Sequence, residues 1–465
     1  MNYIKKSLVC AAAAGAATLA TATPEIGNVT MTQQNAMSGR QVTITYTLTE
    51  DAVVTLDVMT NATPNAATGW ASIGGEAVCN AQGAVWRKVT SADADGQGKY
   101  TITWRPDLSW LDDNGKGFKI AEGCAKAVVT AYALDNTPDY MVVDVSAAAQ
   151  PNTQKYYPSA DFLPGGILSN HNYRTGMLVM RKVMAKDVTW MMGSTTLETQ
   201  NRNATREATH QVTLTNNYYF GVFPVTQAQW DLIQPNHLAP SFYSNPEDRA
   251  MRPVEQVCYN EIRNSADTSA NTAYNWPADP NPSSFLGILR TRTGLDFDLP
   301  SEAQWEFAAR AGNGDTKWGD GSGILNSNPD ANLDLVGRYE RNGGKVLKGS
   351  SYANPAATCG ATNGTAIVGS YAPNSWGIYD TAGNVWEWCL DWFAEDITAN
   401  GGKVNVDLSA PANMLFGGVG YTRVKRGGGW NNAAGYCRPA SRDGDSPQNG
   451  WSNYGFRVIC SAELQ

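Results

Sequence analysis

Two carboxylates in a glycine-containing loop have the chemistry of a calcium site. Asp380 and Glu387 are hard oxygen donors, and Gly383 lies between them. Calcium prefers such carboxylates together with backbone carbonyls in flexible loops. The pattern therefore predicts a structural calcium ion in this loop. The alternative is that Glu387 is a buried structural carboxylate that hydrogen-bonds to the backbone, with no ion involved.

The cysteines and histidines limit the other chemistry that the chain could support. Eight cysteines and three histidines occur, and there is no Cys-x-x-Cys pair. His171, His210 and His237 lie far apart in the sequence and do not match the ligand spacing of zinc or iron sites. The sequence therefore gives no support for a structural zinc or for a histidine-bound iron centre.

Disulfides are expected if the protein is exported, because an oxidising compartment keeps cysteines paired. The cysteines that remain after removal of a leader containing Cys10 are Cys79, Cys124, Cys258, Cys359, Cys389, Cys437 and Cys460. Their number is odd, so at least one thiol stays free or pairs with another molecule. We expect one disulfide between Cys79 and Cys124. Cys437 is interpreted either as disulfide-bonded, with Cys460 as its partner, or as a lone thiol with other chemistry.

The N-terminus has the pattern of a secretory signal peptide. Lys5 and Lys6 precede a short apolar run, and Ala20-Thr-Ala22 supplies the small residues of a cleavage site. Residues 1–22 are therefore predicted to be removed, so that the mature chain starts near Thr23. The apolar run is too short to span a bilayer. We expect a secreted, periplasmic or cell-surface protein without a transmembrane segment.

The charge and the composition exclude one class of partner and favour a loop-rich fold. The chain has 35 Lys and Arg against 43 Asp and Glu, and its net charge of -8 includes no basic run. Nucleic acid is therefore not an expected partner. The 45 glycines and 15 tryptophans favour short strands and long ordered loops over a helical bundle.

The C-terminal segment, Gly427–Arg457, alternates framework-like residues with small, polar and aromatic ones. Arg438, Arg442 and Arg457 are expected to brace carbonyls and carboxylates inside the fold, with a clamp on a substrate carboxylate as the alternative. Tyr, Trp, Ser and Asn combine rigid rings with adaptable hydrogen-bonding groups, as antibody paratopes do. The positions predicted to contact a ligand are Trp430, Asn431, Asn432, Ala434, Tyr436, Asp443, Asp445, Gln448, Asn449, Trp451, Ser452 and Asn453.

Two domains are predicted to position these residues. Within residues 23–148, segments such as Gln41–Leu48 and Ala52–Val58 alternate apolar and polar residues, which predicts an antiparallel, immunoglobulin-like β-sandwich. Residues 149–165 lack periodicity and are interpreted as a linker. Residues 166–465 form the second, loop-rich domain.

Two capping boxes predict helices in the second domain. Thr226 is followed three residues later by Gln229, which predicts a helix from Gln227 to about Ile233. Ser301 is likewise followed by a glutamine, which predicts a helix that continues through Arg310.

Five motifs in the second domain occur in an order that identifies a family. They are Gly221–Trp230, Arg252–Val257, Leu299–Phe307, Gly377–Trp388, and Arg426–Trp430 with Gly455–Arg457. Over roughly residues 170–460 this set resembles the formylglycine-generating-enzyme (sulfatase-modifying factor) domain. The resemblance implies a variant C-type-lectin fold with few regular elements, much ordered loop and bound calcium. The expected class is therefore α+β, an N-terminal β-sandwich followed by a C-type-lectin-like domain.

The resemblance also implies which residues would hold calcium. The ligands would be the side chains of Asp380 and Glu387 and the carbonyls of Gly383 and Val385. A second family site would use Asn332 and Leu333.

The enzymes of this family oxidise a cysteine of a protein substrate with two thiolates that hold Cu(I), a metal that soft thiolates select. The resemblance places Asn432 at the first thiol position. Cys437 aligns either with the second thiol or with a structural disulfide cysteine. At most one catalytic thiol is retained, so copper is not an expected cofactor. Cys437 is the candidate catalytic residue if the chain is an enzyme.

The segment from Trp430 to Asn453 also resembles the variable region of proteins diversified by retroelements, which use the same fold. An ordinary family C-terminus with loops that fill the fold is the alternative. The sequence thus predicts a secreted or surface protein that binds a protein or glycan through its C-terminal loops. The alternative functions are an oxidoreductase that acts on a protein cysteine and a purely structural surface protein.

Overall fold

The computed structural model contains short strands, few helices and long ordered loops, in agreement with the predicted α+β class. The residues that it describes are 23–36, 39–115, 117–118, 120–236, 238–264, 278–397 and 422–464. The predicted signal peptide, residues 1–22, lies outside the described residues, as does His237. Within the described ranges, no helix combines the length and the apolar character needed to cross a bilayer.

The N-terminal part forms two sheets and two one-turn helices. The strands are β1 (Ile26–Ala36), β2 (Gly39–Leu48), β3 (Ala52–Thr60), β4 (Ala71–Ser72), β5 (Gln82–Gly83), β6 (Arg87–Val89), β7 (Tyr100–Trp104) and β8 (Ala125–Tyr132), and the helices are α1 (Gly75–Val78) and α2 (Pro106–Ser109). One sheet has the order β1-β2-β7-β5, and the other has the order β4-β3-β6 with β8 also paired to β3.

The two N-terminal sheets share one apolar core. Val42, Ile44 and Tyr46 of β2 are buried at alternate positions, as the predicted period of two requires, and cluster with Val54 of the other sheet. Val53, which precedes Val54 on β3, faces the opposite way and belongs to the core of the second domain. Strand β3 is therefore buried on both of its faces.

The second part of the chain contains the remaining strands and helices. The strands are β9 (Tyr140–Asp144), β10 (Lys155–Tyr157), β11 (Met177–Val183), β12 (Val188–Met192), β13 (His210–Leu214), β14 (Tyr218–Gly221), β15 (Val346–Lys348), β16 (Ser351–Ala353), β17 (Trp386–Trp392), β18 (Arg423–Arg426), β19 (Arg442–Asp445), β20 (Tyr454–Gly455) and β21 (Ile459–Ser461). The helices are α3 (Gln227–Ile233), α4 (Phe285–Thr293), α5 (Glu302–Arg310) and α6 (Leu333–Val336).

A five-stranded sheet crosses the boundary predicted between the two domains. Its order is β10-β9-β11-β14-β21, so β9, predicted to belong to the first domain, pairs with β11 of the second. The segment 149–165, predicted as a linker, contains β10. That strand has only three residues, too few to produce a visible alternation, although Tyr156 and Tyr157 are buried. The sheet thus joins the two predicted domains through backbone hydrogen bonds.

A four-stranded sheet carries the candidate site, with the order β19-β18-β17-β20. Strand β17 supplies Glu387, and its neighbours β18 and β20 pair with it on opposite sides, antiparallel and parallel respectively. The loop before β17, the loop after β18 and the loop before β20 therefore meet at one end of the sheet.

Both predicted capping boxes are confirmed. Thr226 Oγ1 accepts a hydrogen bond from the Gln229 amide, the Gln229 side chain accepts one from the Thr226 amide, and α3 spans the predicted residues. Ser301 caps α5 in the same way, and this helix ends at Arg310. The left-handed residue that ends α5 is Ala311, with φ 48°.

The predicted disulfides are not formed. All seven cysteines of the described residues are free. Cys124 Sγ lies 3.8 Å from the carbonyl oxygen of Ala62, beside the start of β8, whereas Cys79 ends α1. Cys437 and Cys460 belong to different apolar clusters. An oxidising compartment favours disulfides, but it does not indicate which cysteines lie close enough to pair.

Candidate functional site

Glu387, one of the predicted calcium ligands, forms a buried ion pair. Its Oε2 accepts hydrogen bonds from Trp305 Nε1 at 2.5 Å and from Arg457 Nε at 2.6 Å, and its Oε1 accepts one from Arg457 Nη2 at 2.6 Å. Arg457 also donates to the carbonyls of Gly221 at 2.8 Å and Tyr379 at 3.0 Å. Both charged side chains are fully buried. A bidentate pair with its remaining donors satisfied is the geometry in which a buried ion pair is tolerated.

Asp380 is satisfied by protein donors as well. Its carboxylate accepts hydrogen bonds from the Gly369 amide at 2.7 Å and from Asn384 Nδ2 at 3.2 Å. Burial raises the pKa of Asp380 to about 6. Gly383 has φ 86°, and a Cβ there would lie 2.0 Å from the carbonyl oxygen of Arg338, so only glycine fits. The loop is therefore shaped by contacts within the protein.

The oxygen atoms of this loop do not fit a calcium ion. Calcium takes six to eight oxygen ligands, and its carboxylates must carry charge that is not already neutralised. Here Arg457 neutralises Glu387, and the oxygens of Asp380 are engaged by N–H donors. The ion pair with Arg457 corresponds to the alternative interpretation of Glu387 as a structural carboxylate. Val385 is buried in the same loop.

The second predicted calcium pair is organised by a carboxylate that the sequence did not indicate. Asp330 Oδ1 accepts hydrogen bonds from the amides of Asn332 at 2.9 Å and Leu333 at 3.0 Å. Its Oδ2 accepts others from Leu325 at 2.6 Å and Asn326 at 2.9 Å. Four backbone donors thus saturate Asp330, and Asn332 donates its own side-chain amide to the carbonyl of Gly323. These contacts fix the turn, and a calcium ion at Asn332 and Leu333 stays a prediction.

The positions that the resemblance aligns with the enzymes' thiol pair hold an asparagine, Asn432, and a buried cysteine, Cys437. Asn432 Oδ1 accepts hydrogen bonds from Trp386 Nε1 at 2.8 Å and from the Gly429 amide at 3.0 Å. Cys437 is fully buried in an apolar cluster with Trp318 and Leu333, and burial raises the pKa of its thiol. A neutral, enclosed thiol is a poor nucleophile and a poor metal ligand. Cys389 and Cys460 belong to other clusters.

Two of the positions predicted to contact a ligand hold the loops together. Trp430 is only 1% exposed, and its Nε1 donates to the carbonyl of Ser452 at 2.7 Å. Its ring meets that of Tyr243 edge-on. Asn432 binds Trp386 as described above. The segments around residues 430 and 452 are thereby fixed against each other.

Three further predicted positions also have structural partners. Ala434 is buried in the cluster of Cys437. Asp443 forms an ion pair with Lys425 at 2.7 Å. Asp445 accepts hydrogen bonds from the Tyr454 hydroxyl at 2.6 Å and from Asn449 Nδ2 at 2.9 Å.

The remaining predicted positions are exposed or partly exposed, and together we call them the recognition surface. Its two large rings are Tyr436, 46% exposed, and Trp451, 56% exposed. Asn453 Nδ2 donates to Asn431 Oδ1 at 2.9 Å, which brings the two loops side by side. The surface consists of Asn431, Tyr436, Gln448, Asn449, Trp451, Ser452 and Asn453.

The three framework arginines are braces, as predicted. Arg438 donates to both oxygens of Glu207, at 2.8 and 2.9 Å, and also pairs with Glu198. Arg442 binds both oxygens of Glu302 at 2.6 and 2.7 Å. Arg457 binds Glu387. Each arginine therefore ties the C-terminal segment to a carboxylate from a distant part of the chain.

The partners of Arg438 and Arg442 were not predicted from the sequence, although α5 carries a signal for buried ion pairs. Glu302 and Glu306 stand one turn apart on α5, within the motif Leu299–Phe307. Although burial alone would raise it, Arg310 and Arg426 hold the pKa of Glu306 below its usual range. Two glutamates on one face of a largely buried helix require cationic partners.

The chain is similar in sequence to several curated proteins. The chain spans about half the length of the curated formylglycine-generating enzymes that it matches. That of Streptomyces coelicolor is 37% identical over 171 residues, which cover 36% of this chain and 47% of that protein. Chaperone protein LppX of Paenibacillus barcinonensis is 29% identical over 261 residues, 53% of this chain and 81% of that protein.

Among solved structures, Treponema denticola variable protein 1 is similar with a TM-score of 0.42 and 26% identity, over 61% of this chain and 95% of that chain. A family model described as the sulfatase-modifying factor enzyme 1-like domain matches residues 177–462. The match covers more than half of the chain and contains all five motifs. This protein therefore belongs to the sulfatase-modifying factor enzyme 1-like domain family.

Proposed function

We propose that the chain is an exported binding protein that presents the recognition surface to a protein or glycan ligand. The observation that carries this proposal is the exposure of Tyr436 and Trp451 on a backbone that buried neighbours hold in place. Large rings that are held at low conformational cost supply binding energy efficiently.

Hydrogen bonds to neighbouring segments fix the backbone under the recognition surface. The carbonyl of Trp451 accepts hydrogen bonds from the amides of Gln256 at 3.0 Å and Tyr454 at 2.8 Å. The carbonyl of Asn453 accepts one from the amide of Trp386 at 2.7 Å, at the start of β17. The surface is therefore pre-organised, which reduces the entropy lost on binding. In this proposal the segment is open to sequence diversification, because its side chains vary without a change of frame.

Calcium has no role in this proposal. Arg457 supplies the positive charge for Glu387, and the loop before β17 is closed by protein hydrogen bonds. The N-terminal sheets act as a stalk, to which the five-stranded sheet attaches the binding domain. Residues 1–22 direct export.

Screening on protein and glycan arrays tests the proposal. The wild type is compared with a Tyr436→Ala/Trp451→Ala variant and with a matched control, Leu347→Ala, whose side chain is 58% exposed on β15. We expect a ligand that is bound by the wild type and the control and is lost in the double variant. A protein that binds nothing, or a double variant that retains all binding, would contradict the proposed function.

A second candidate function is the oxidoreductase activity of the family's enzymes, favoured by the 37% identity to a formylglycine-generating enzyme. Cys437 would be its thiol, but it is buried and has Asn432 at the partner position. Mass spectrometry of a Cys-x-Pro-x-Arg peptide, incubated with the protein, oxygen, reductant and copper, distinguishes the two functions. We expect the peptide to remain unchanged while an active family enzyme converts it. Conversion that Cys437→Ser abolishes would establish the enzyme instead.

A further inference from the structure

A cavity of about 690 Å³ opens beside Tyr436, at the border of the recognition surface. Its walls include Arg202, Arg206, Arg442 and Asp443. This volume lies within the range of small-molecule sites in proteins. Because guanidinium, carboxylate and amide groups make up most of the lining, the cavity suits an occupant that offers many hydrogen-bonding groups.

Two of the three arginines in the walls are neutralised within the protein. Arg206 donates to both oxygens of Glu395 at 2.6 Å and lies 3.4 Å from Asp443. Arg442 is paired with Glu302. These two guanidinium groups therefore shape the cavity without adding net charge to it.

Arg202 is the exception among the arginines of the cavity. Its Nε donates to the carbonyl and the hydroxyl of Ser194, at 3.0 and 3.1 Å. Among the described residues it has no carboxylate within ion-pair distance and no acceptor for its terminal nitrogens. The guanidinium is anchored at one edge, and the planar pair of terminal nitrogens stays available. Such a fork matches the two oxygens of a carboxylate.

The carboxylates near Arg202 are engaged elsewhere. Glu207 accepts hydrogen bonds from Arg438 and from the Ser194 hydroxyl at 2.9 Å. Asp443 binds Lys425. The wall around Arg202 therefore carries one uncompensated positive charge, which attracts an anionic group.

Tyr436 gives the cavity a ring at its mouth. The ring is half-exposed, and its hydroxyl has no hydrogen-bond partner among the described residues. The amide side chains of Asn201 and Asn203 lie in the same lining. A ring that packs against C–H groups, amides that bind hydroxyls and a fork that binds a carboxylate together match a sugar acid, which offers a C–H face, hydroxyls and a carboxylate in one residue.

We propose that this cavity binds the carboxylate-bearing residue of an acidic saccharide, with Arg202 as the carboxylate clamp and Tyr436 as the ring platform. The proposal rests on the proposed function, because it assigns a ligand class to the border of the recognition surface. Arg202 lies outside the C-terminal segment, so the clamp is independent of any diversification there.

Ligand titrations followed by NMR test the clamp in the mature protein. The probes are glucuronate and N-acetylneuraminate, with glucose as the neutral counterpart and triglutamate as the acidic peptide. We expect both sugar acids to bind and glucose to bind at least about tenfold more weakly, because glucose lacks the carboxylate that the fork holds. Arg202→Gln should lower the affinity for the sugar acids by a similar factor, and Arg202→Lys, which keeps the charge but not the fork, by less.

Arg341→Gln is the matched control, because Arg341 is a partly exposed arginine outside the cavity. It should leave binding unchanged, and circular dichroism confirms that each variant is folded. Equal binding of glucose and glucuronate, an unaffected Arg202→Gln variant, or no binding of either sugar acid would overturn the assignment. Binding of triglutamate in place of the sugar acids would replace it with an acidic peptide. An array ligand that depends on Trp451 but survives Arg202→Gln would refute the clamp while the proposed function stands.

Discussion

The buried arginines and the exposed rings of the C-terminal segment are interspersed in the sequence but differ in burial and in the contacts that they make. Arg438, Arg442 and Arg457 are buried, and each binds a carboxylate from a distant part of the chain. Tyr436 precedes Arg438, Trp451 lies between Arg442 and Arg457, and both rings project from the surface. One short segment thus fixes a backbone and also presents side chains that the fold does not need. Function can then change at the surface without loss of the frame.

Breaking the buried pair Arg457–Glu387 should have the largest effect on stability. Arg457→Met leaves a buried carboxylate without its partner, which costs about 3–5 kcal/mol of unfolding free energy. Chemical denaturation, monitored by tryptophan fluorescence, measures the loss. Arg105→Gln is the control, because its ion pair with Asp107 is partly exposed and should contribute less than about 1 kcal/mol. Equal losses in the two variants would show that the frame does not depend on the buried pair.

Glu255 differs from these carboxylates, because it is a buried carboxyl that forms no ion pair with the described residues. Its Oε1 accepts a hydrogen bond from the Tyr243 amide at 2.8 Å, whereas Oε2 has no partner in the described structure. Burial raises the pKa of Glu255 to about 8, only partly offset by that hydrogen bond and by Arg252. The folded state therefore holds this proton at pH values at which the unfolded chain has released it.

The raised pKa predicts that stability falls as pH rises. The stabilisation from protonated Glu255 is complete below its unfolded pKa and is lost as pH approaches about 8. The slope is about 1.4 kcal/mol per pH unit in this window. Glu255→Gln keeps the acceptor and cannot ionise, so its unfolding free energy should fall less steeply between about pH 5 and 8. Parallel pH profiles for the wild type and the variant would contradict the assignment.

The account also predicts a small response to calcium. Because Arg457 neutralises Glu387, calcium has no site at this loop, and saturating calcium should change the unfolding free energy by less than about 0.5 kcal/mol relative to a chelator. A bound ion at a hundred times its dissociation constant would add about 2.7 kcal/mol. Thermal unfolding with calcium and with chelator decides between them. A large stabilisation by calcium would show that the ion displaces the arginine.

Local patterns in the sequence predicted the elements with strong local signals. The capping boxes at Thr226 and Ser301 fixed the starts of α3 and α5, because those hydrogen bonds lie within one turn. The alternation in β2 was also correct. Strand β10 was missed, since three residues show no period and the strand is stabilised by its pairing with β9.

The candidate site was predicted less completely, because its contacts join distant parts of the chain. The sequence identified the arginine braces but not their partners, and Arg438 and Glu207 stand 231 residues apart. It grouped Trp430 with Trp451 by residue type, although burial gives them opposite roles. Arg202, which lies far from the C-terminal segment, carried no local signal.

The most direct test of the account compares binding and stability in Trp451→Ala. The side chain is exposed, so the unfolding free energy should stay within about 0.5 kcal/mol of the wild type. The affinity for a ligand found on the arrays should fall at least about tenfold, as it does at aromatic hot spots. Unchanged affinity, or a loss of binding that only follows a loss of stability, would contradict a recognition surface held on an independent frame.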